Sequence, residues 1–179
     1  MRHRLVLASV LVCGMTALSG SLAAAQSFPA FLSGDQEVGP VATPATGIGT
    51  LDLTGGPGAW VATYSLSYSD LLSPIVNPPG AHIHNAAAGM NGPVVHGLDN
   101  IAAAVGTTSG VFTGDWRYDD ASNPLTDMLV GELFAGRLYF NIHTAQNTSG
   151  EIRGQIVPEP TSIVAALSLI ATAATYRRR

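Results

Sequence analysis

Cysteine occurs once in 179 residues, as Cys13, and lysine does not occur at all. Cys13 lies inside an apolar N-terminal run and follows Val12, where a lipoprotein signal wants a small residue, so no lipid anchor is expected. A chain processed beyond that run has no thiol, which excludes disulfides and a cysteine nucleophile even in a compartment that permits disulfides. Core packing must then supply the stability. Residues 26–157 carry eleven acids against three arginines (Arg117, Arg137, Arg153), a net charge of −8. Such a surface repels nucleic acid and anionic lipid, and suits solubility or the binding of cations. There is no Gly-x-Ser-x-Gly nucleophile elbow, no internal repeat, and no low-complexity linker beyond one proline hinge.

Both ends read as addresses. Arg2-His3-Arg4, the apolar stretch Leu5 to Leu18 and the small residues Ser21-Leu22-Ala23-Ala24-Ala25 form a secretory signal expected at residues 1–25, cut by signal peptidase after Ala25. At the other end Val157-Pro158-Glu159-Pro160 precedes an uncharged run, Ser162 to Thr175, and then Arg177-Arg178-Arg179. Two prolines two apart break helix and central strand. Sixteen helical residues span only about 24 Å, marginal for a permanent membrane crossing. The three arginines hold the terminus on the cytoplasmic side. Residues 158–179 closely resemble the PEP-CTERM sorting signal of Gram-negative bacteria. The resemblance implies transient inner-membrane insertion, cleavage near Pro-Glu-Pro by an exosortase-type transpeptidase, and delivery to the cell surface or extracellular matrix. The other reading is an ordinary C-terminal membrane anchor.

Between the ends, residues 26–157 are expected to form one all-β domain. From Trp60, the residues Trp60, Ala62, Tyr64, Leu66 and Tyr68 alternate with Val61, Thr63, Ser65, Ser67 and Ser69, the pattern of a half-buried strand. Ile48–Leu53 precedes it across Gly55-Gly56-Pro57-Gly58, consistent with a hairpin. Ala81–His84, Val111–Tyr118, Arg137–Thr144 and Gly150–Val157 read as further strands. One short helix is expected, with Thr126 as its cap, Asp127 in its first turn, Met128, Leu129, Leu133 and Phe134 at helical spacing, and Gly136 closing it. Many short strands with one helix favour an antiparallel β-sandwich or barrel.

The chemistry concentrates in histidine. His82 and His84 flank Ile83, so on a strand both imidazoles point to one face. In the later strand Leu138, Phe140 and Ile142 face one way, while Tyr139, Asn141 and His143 face the other. If the two strands are neighbours, three imidazoles meet on the outside of the sheet, an arrangement suited to copper or zinc. His96, beyond the Asn91-Gly92-Pro93 turn, is a candidate fourth ligand from a loop. The alternative is that each histidine hydrogen-bonds its neighbours on a wet face.

Phe31-Leu32-Ser33-Gly34-Asp35-Gln36-Glu37-Val38, Ala81-His82-Ile83-His84, Asn91-Gly92-Pro93-Val94-Val95, Tyr139-Phe140-Asn141-Ile142-His143-Thr144 and Gly150-Glu151-Ile152-Arg153-Gly154-Gln155 resemble, in order, the motifs of the CHRD domain, named from chordin. The family often has proline where Gly39 stands and glycine where Asn85 stands. The likeness covers about residues 30–157 and implies an extracellular, immunoglobulin-like or superoxide-dismutase-like β-sandwich. A more distant resemblance to copper-zinc superoxide dismutases implies copper ligands at His82, His84, His96 and His143, with Arg153 lining an anion approach. Against it stand the missing disulfide, the ten residues between His143 and Arg153, and the lack of a bridging histidine and zinc triad beyond His96 and Asp99.

Asp115, Asp119 and Asp120 near Trp116 and Tyr118 fit either a carbohydrate or calcium subsite or a solvated loop. Glu151 and Arg153 lie two apart and fit a surface ion pair; Asn147-Thr148-Ser149 reads as a turn. The expectation is an exported, non-enzymatic binding or adhesive module whose partners are extracellular polysaccharide or other matrix components. The alternative is a copper or zinc protein.

Overall fold

The computed structural model describes residues 25–159. The expected signal at residues 1–25 lies almost wholly outside these residues, as do Pro160, the apolar run and the three terminal arginines. No helix among the described residues is long and apolar enough to cross a membrane.

Eight antiparallel strands form one sheet that curls into a nearly closed barrel. They are β1 (Gln26–Ser33), β2 (Thr46–Thr54), β3 (Val61–Ser69), β4 (Ala81–Asn85), β5 (Val94–Gly97), β6 (Gly110–Arg117), β7 (Leu138–Ile142) and β8 (Ile152–Ile156), with spatial order β5-β4-β7-β8-β1-β2-β3-β6. The period-2 alternation of β3 holds: Ala62, Tyr64, Leu66 and Tyr68 are buried, and the serines and threonines between them face out. Antiparallel pairing with β2 places Leu51 opposite Tyr64 and Gly49 opposite Leu66, so the hairpin presents one continuous apolar face. Trp60, expected to open β3, lies just before it and donates its indole N–H to Asp127. The strands β1 and β5 and a one-turn helix, α1 (Ile101–Ala104), have no counterpart in the periodicity reading. They are short or carry proline and small residues, so alternation is hard to see in them.

The expected helix is present as α2 (Asp127–Phe134). Thr126 caps it, its hydroxyl accepting from the Leu129 N–H, and Gly136 follows in the left-handed region at φ +65°. The helix buries Leu129, Val130 and Leu133, while Phe134 packs edge-on against Phe28 with centroids 5.4 Å apart.

No ladder joins β5 to β6. Side chains close that seam instead. His96 of β5 stacks on Trp116 of β6, with ring centroids 5.1 Å apart at 20°, and meets Tyr64 edge-on. Trp116 is fully buried and its indole N–H donates to the Asn123 carbonyl. The neighbouring Tyr64 hydroxyl accepts from the Asp99 N–H at 2.6 Å. Asp119 and Asp120 lie in a solvated turn, one of the two readings of this cluster: Asp120 accepts from the N–H groups of Ser122 and Asn123, and Asp119 meets Arg117 on the surface.

Trp116→Ala removes this closure and leaves a large cavity. The expected cost is about 3–5 kcal/mol of stability, read as a shift in urea midpoint. A loss under about 1 kcal/mol would show that the seam does not depend on the indole.

Candidate metal centre

The strands β4, β7 and β8 are buried on both faces. Ile83, Leu138, Phe140, Ile142 and Ile152 fill the barrel on one side. On the other, loops cover a polar layer made of His84, Tyr139, Asn141, His143 and Arg153, all 8% exposed or less. The outer face expected to be wet is therefore dry, and its polar atoms need partners.

The register builds the histidine cluster. His82 pairs with Asn141 and His84 with Tyr139 across β4 and β7, and the His143 N–H continues the ladder to the Gly80 carbonyl. The three rings converge, with centroids 5.6 Å (His82–His84), 5.3 Å (His82–His143) and 5.9 Å (His84–His143) apart. Each offers one nitrogen, all three within 4.8 Å of one another. His96 is not among them. It pairs with Ile83, whose side chain enters the barrel, and so lies in the apolar interior against Trp116. A strand where a loop was expected thus turns the candidate fourth ligand to the other face of the sheet.

Hydrogen bonds fix which nitrogens are free. The Nδ1 of His84 meets the Gly92 carbonyl and the Nδ1 of His143 meets the Thr148 carbonyl, both at 3.0 Å. A carbonyl only accepts, so each Nδ1 must carry the proton and each Nε2 the lone pair. Those two Nε2 atoms, and Nδ1 of His82, are buried without a partner. Burial also holds all three rings neutral. Desolvation lowers the pKa of His82 and of His84, and pushes His143 down to about 4, with the charge of His82 adding to the effect on His143. Neutral imidazoles with inward lone pairs are the protonation state that a metal ion requires.

The surroundings hold this geometry. Tyr139 has His84 stacked on it at 5.0 Å and 13°, and the Arg153 guanidinium 3.6 Å from its ring centre. Arg153 donates to the Met90 carbonyl at 2.5 Å and to the Asn91 side chain at 3.2 Å, pinning the loop that carries Gly92. Gly92 in turn donates its N–H to the Tyr139 hydroxyl. Any side chain at Gly92 would collide with the Asn85 carbonyl. Glu151 does the equivalent work for His143. Completely buried, it accepts from the hydroxyls of Thr43 and Thr144, the Leu72 N–H and the Asn147 amide, tying down the turn that presents Thr148. The expected surface ion pair between Glu151 and Arg153 is not formed: both are buried, and each has other partners.

The family model for the CHRD domain matches residues 28–156. The chain belongs to the CHRD domain family. No curated protein and no solved structure gives a match. Within the CHRD domain of this chain, three supports of the site escaped the reading of the sequence: the carbonyls of Gly92 and Thr148, because any residue supplies a carbonyl, and Glu151, because its burial, like that of Glu37, depends on loops folding over the sheet. Glu37 is 7% exposed, with Oε1 lacking a partner; burial raises its pKa to about 7, partly offset by the charge of Arg153. Gly150, at φ +125°, leaves the space in which Glu37 Oε1 approaches the Asn141 amide.

These shifts oppose each other. His143 is depressed, so its contribution is complete above its ordinary value of 6.5 and is lost as pH falls towards 4. Glu37 is raised, so stability is complete below 4.5 and falls as pH rises through 7. Each slope reaches at most about 1.4 kcal/mol per pH unit. In the metal-free chain, Glu37→Gln should steepen the loss of stability on acidification from pH 6.5 to 4, and His143→Gln should flatten it. Denaturant midpoints across pH 4–7.5 test both, and unchanged slopes would contradict the assignment.

Proposed function

We propose that this CHRD domain binds a transition-metal ion, copper or zinc, through His82, His84 and His143. The observation that carries the reading is the convergence of three buried ring nitrogens with no partner, two of them held with the lone pair inward by backbone carbonyls. A buried polar atom left unpaired costs on the order of 1–3 kcal/mol. Three rings that converge, two with the tautomer set by a carbonyl, support a metal site. The donor set is all imidazole, without thiolate or carboxylate, which suits copper and zinc better than calcium or magnesium. Three protein ligands leave a further position for an exchangeable group. His82 is the least buried of the three.

The cellular setting proposed for this domain rests on the sequence. The basic, apolar and small-residue start supports export. The tail, from Val157-Pro158-Glu159-Pro160 to Arg177-Arg178-Arg179, supports recognition by an exosortase-type transpeptidase. The role is that of a surface or matrix module, with binding rather than turnover as its activity.

Tag-free full chain exposed to copper or zinc should retain about one ion per molecule. The His82→Ala, His84→Ala, His143→Ala variant should retain none, and metal at 100 times its Kd should stabilise the native chain by about 2.7 kcal/mol. Arg153→Met, which touches no ligand, should weaken affinity by roughly 10–100-fold through loss of the loop that orients His84. Equal metal content in the parent and triple variant would end the reading. For the address, deletion of residues 158–179 should abolish surface or matrix delivery in the native host; unchanged delivery would dismiss the sorting role.

A further inference from the structure

Asn91-Gly92 is the one Asn-Gly pair among the seven asparagines of the chain. Such a pair carries a chemistry of its own. Unhindered by a Cβ, the backbone nitrogen of the glycine attacks the side-chain carbonyl carbon of the asparagine before it. The new C–N bond closes a succinimide ring, the amide C–N bond breaks, and ammonia leaves. Water then opens the ring at either carbonyl, giving aspartate or isoaspartate, and the isoaspartate backbone is longer by a methylene. The reaction needs two freedoms. The glycine N–H must lose its proton to a base in solvent, and the chain must rotate until that nitrogen faces the asparagine Cγ.

Solvent reaches this pair, because Asn91 is exposed, yet both freedoms are withheld. The Gly92 N–H points inward and donates to the hydroxyl of Tyr139 at 3.1 Å, and Tyr139 is only 1% exposed. A base in water cannot take that proton while the contact lasts. Rotation is stopped on both sides. The Gly92 carbonyl meets His84 Nδ1 at 3.0 Å, the Asn91 side-chain oxygen accepts from Arg153 at 3.2 Å, and the Met90 carbonyl accepts from the same guanidinium. The Pro93 carbonyl accepts from the Asn85 N–H at 3.0 Å. A Cβ on Gly92 would stand 2.0 Å from the Asn85 carbonyl oxygen. Gly92 has no positive φ, so this close approach, and not the backbone conformation, is what requires glycine. Two separate packing demands thus put a labile pair where its reaction is mechanically blocked.

We propose that Asn91-Gly92 is a latent deamidation site, locked by the contacts of Tyr139, Arg153 and His84, and that its conversion to isoaspartate releases the ring of His84. Isoaspartate lengthens the backbone just before the Gly92 carbonyl and carries that carbonyl away from His84 Nδ1. Aspartate keeps the backbone length and sets a carboxylate beside the buried Arg153, so it preserves the contact. Reaction proceeds from the opened loop, and its rate follows the population of that opening. The lock consists of contacts within the protein alone and holds whether or not a metal binds.

The test is peptide mapping by mass spectrometry on the full chain, kept metal-free at mildly alkaline pH, with acid at position 91 as the readout. An isoaspartate-specific methylation assay separates the two products. Chain unfolded in urea should convert at Asn91 roughly tenfold faster than native chain, or more. Tyr139→Phe keeps the ring that stacks on His84 and removes only the acceptor of the Gly92 N–H; it should speed conversion in the folded chain about threefold or more. Leu51→Ala, a core truncation on β2 far from this loop, should leave the native rate unchanged. In nitrogen-15 NMR, His84 should lose its Nδ1–H tautomer in proportion to the isoaspartate formed, whereas Asn91→Asp should keep it. Equal rates in native and unfolded chain, no acceleration in Tyr139→Phe, the same acceleration in Leu51→Ala, or an unchanged His84 tautomer at high isoaspartate content would overturn the proposal. No readout involves metal, so either result leaves the metal reading to its own test.

Discussion

Burying a guanidinium that forms no ion pair constrains everything packed around it, because a desolvated charge is tolerated only when its donors and its π-face find partners. Arg153 meets that demand with a carbonyl, a side-chain amide and the ring of Tyr139. Each partner then does a second job. The carbonyl and the amide belong to the loop that ends at Gly92, whose carbonyl sets the tautomer of His84. Tyr139 stacks on His84 and accepts from Gly92. One buried cation, placed on β8, thereby fixes the ring of His84 on β4, two strands away.

Glu151 is the complementary device. An isolated buried carboxylate would neutralise or destabilise the fold, but four donors from three separate segments satisfy this one. Two charges that sit two residues apart on one chain segment thus act through different partners. Each anchors a loop over a different end of the polar layer, Arg153 over His84 and Glu151 over His143. Removing either charge would leave its partners unpaired in a dry layer, so the cost would exceed that of the lost bonds alone.

What the sequence revealed follows from what each signal depends on. The period-2 pattern of β3, the capped helix α2 and the shared face of His82, His84 and His143 are local or nearly so, and survive folding unchanged. His96 was misplaced because it was read as a loop residue, whereas it stands on β5 with its face set by pairing to Ile83 across β4. Motif spacing does not report such a pairing. The alternative of a wet polar face stood open because nothing in an alternating strand says whether loops will cover it. Burial of β7 on both sides is invisible in Leu138–Ile142, where hydrophobic and polar residues alternate as they would on an exposed sheet. The same limit explains the misreading of Glu151 and Arg153, whose spacing fits a surface ion pair and whose burial comes from segments far away in the chain.

The absence of cysteine from residues 26–157 and the use of histidine there belong to one argument. A thiolate site would bind zinc or copper tightly, but in an oxidising compartment its sulfurs would be drawn into disulfides or oxidised further. Imidazole keeps its lone pair there. If the chain is exported as proposed, a three-histidine centre is the option that needs neither a reducing environment nor a chaperone to protect its ligands. The cost is that imidazoles must be held neutral and aimed, which thiolates achieve through charge alone. This fold meets that cost by burial, two backbone carbonyls and the anchored loops that carry them. A domain with no disulfide thus commits its two most expensive buried charges to loops rather than to the barrel, whose apolar core already holds the strands together.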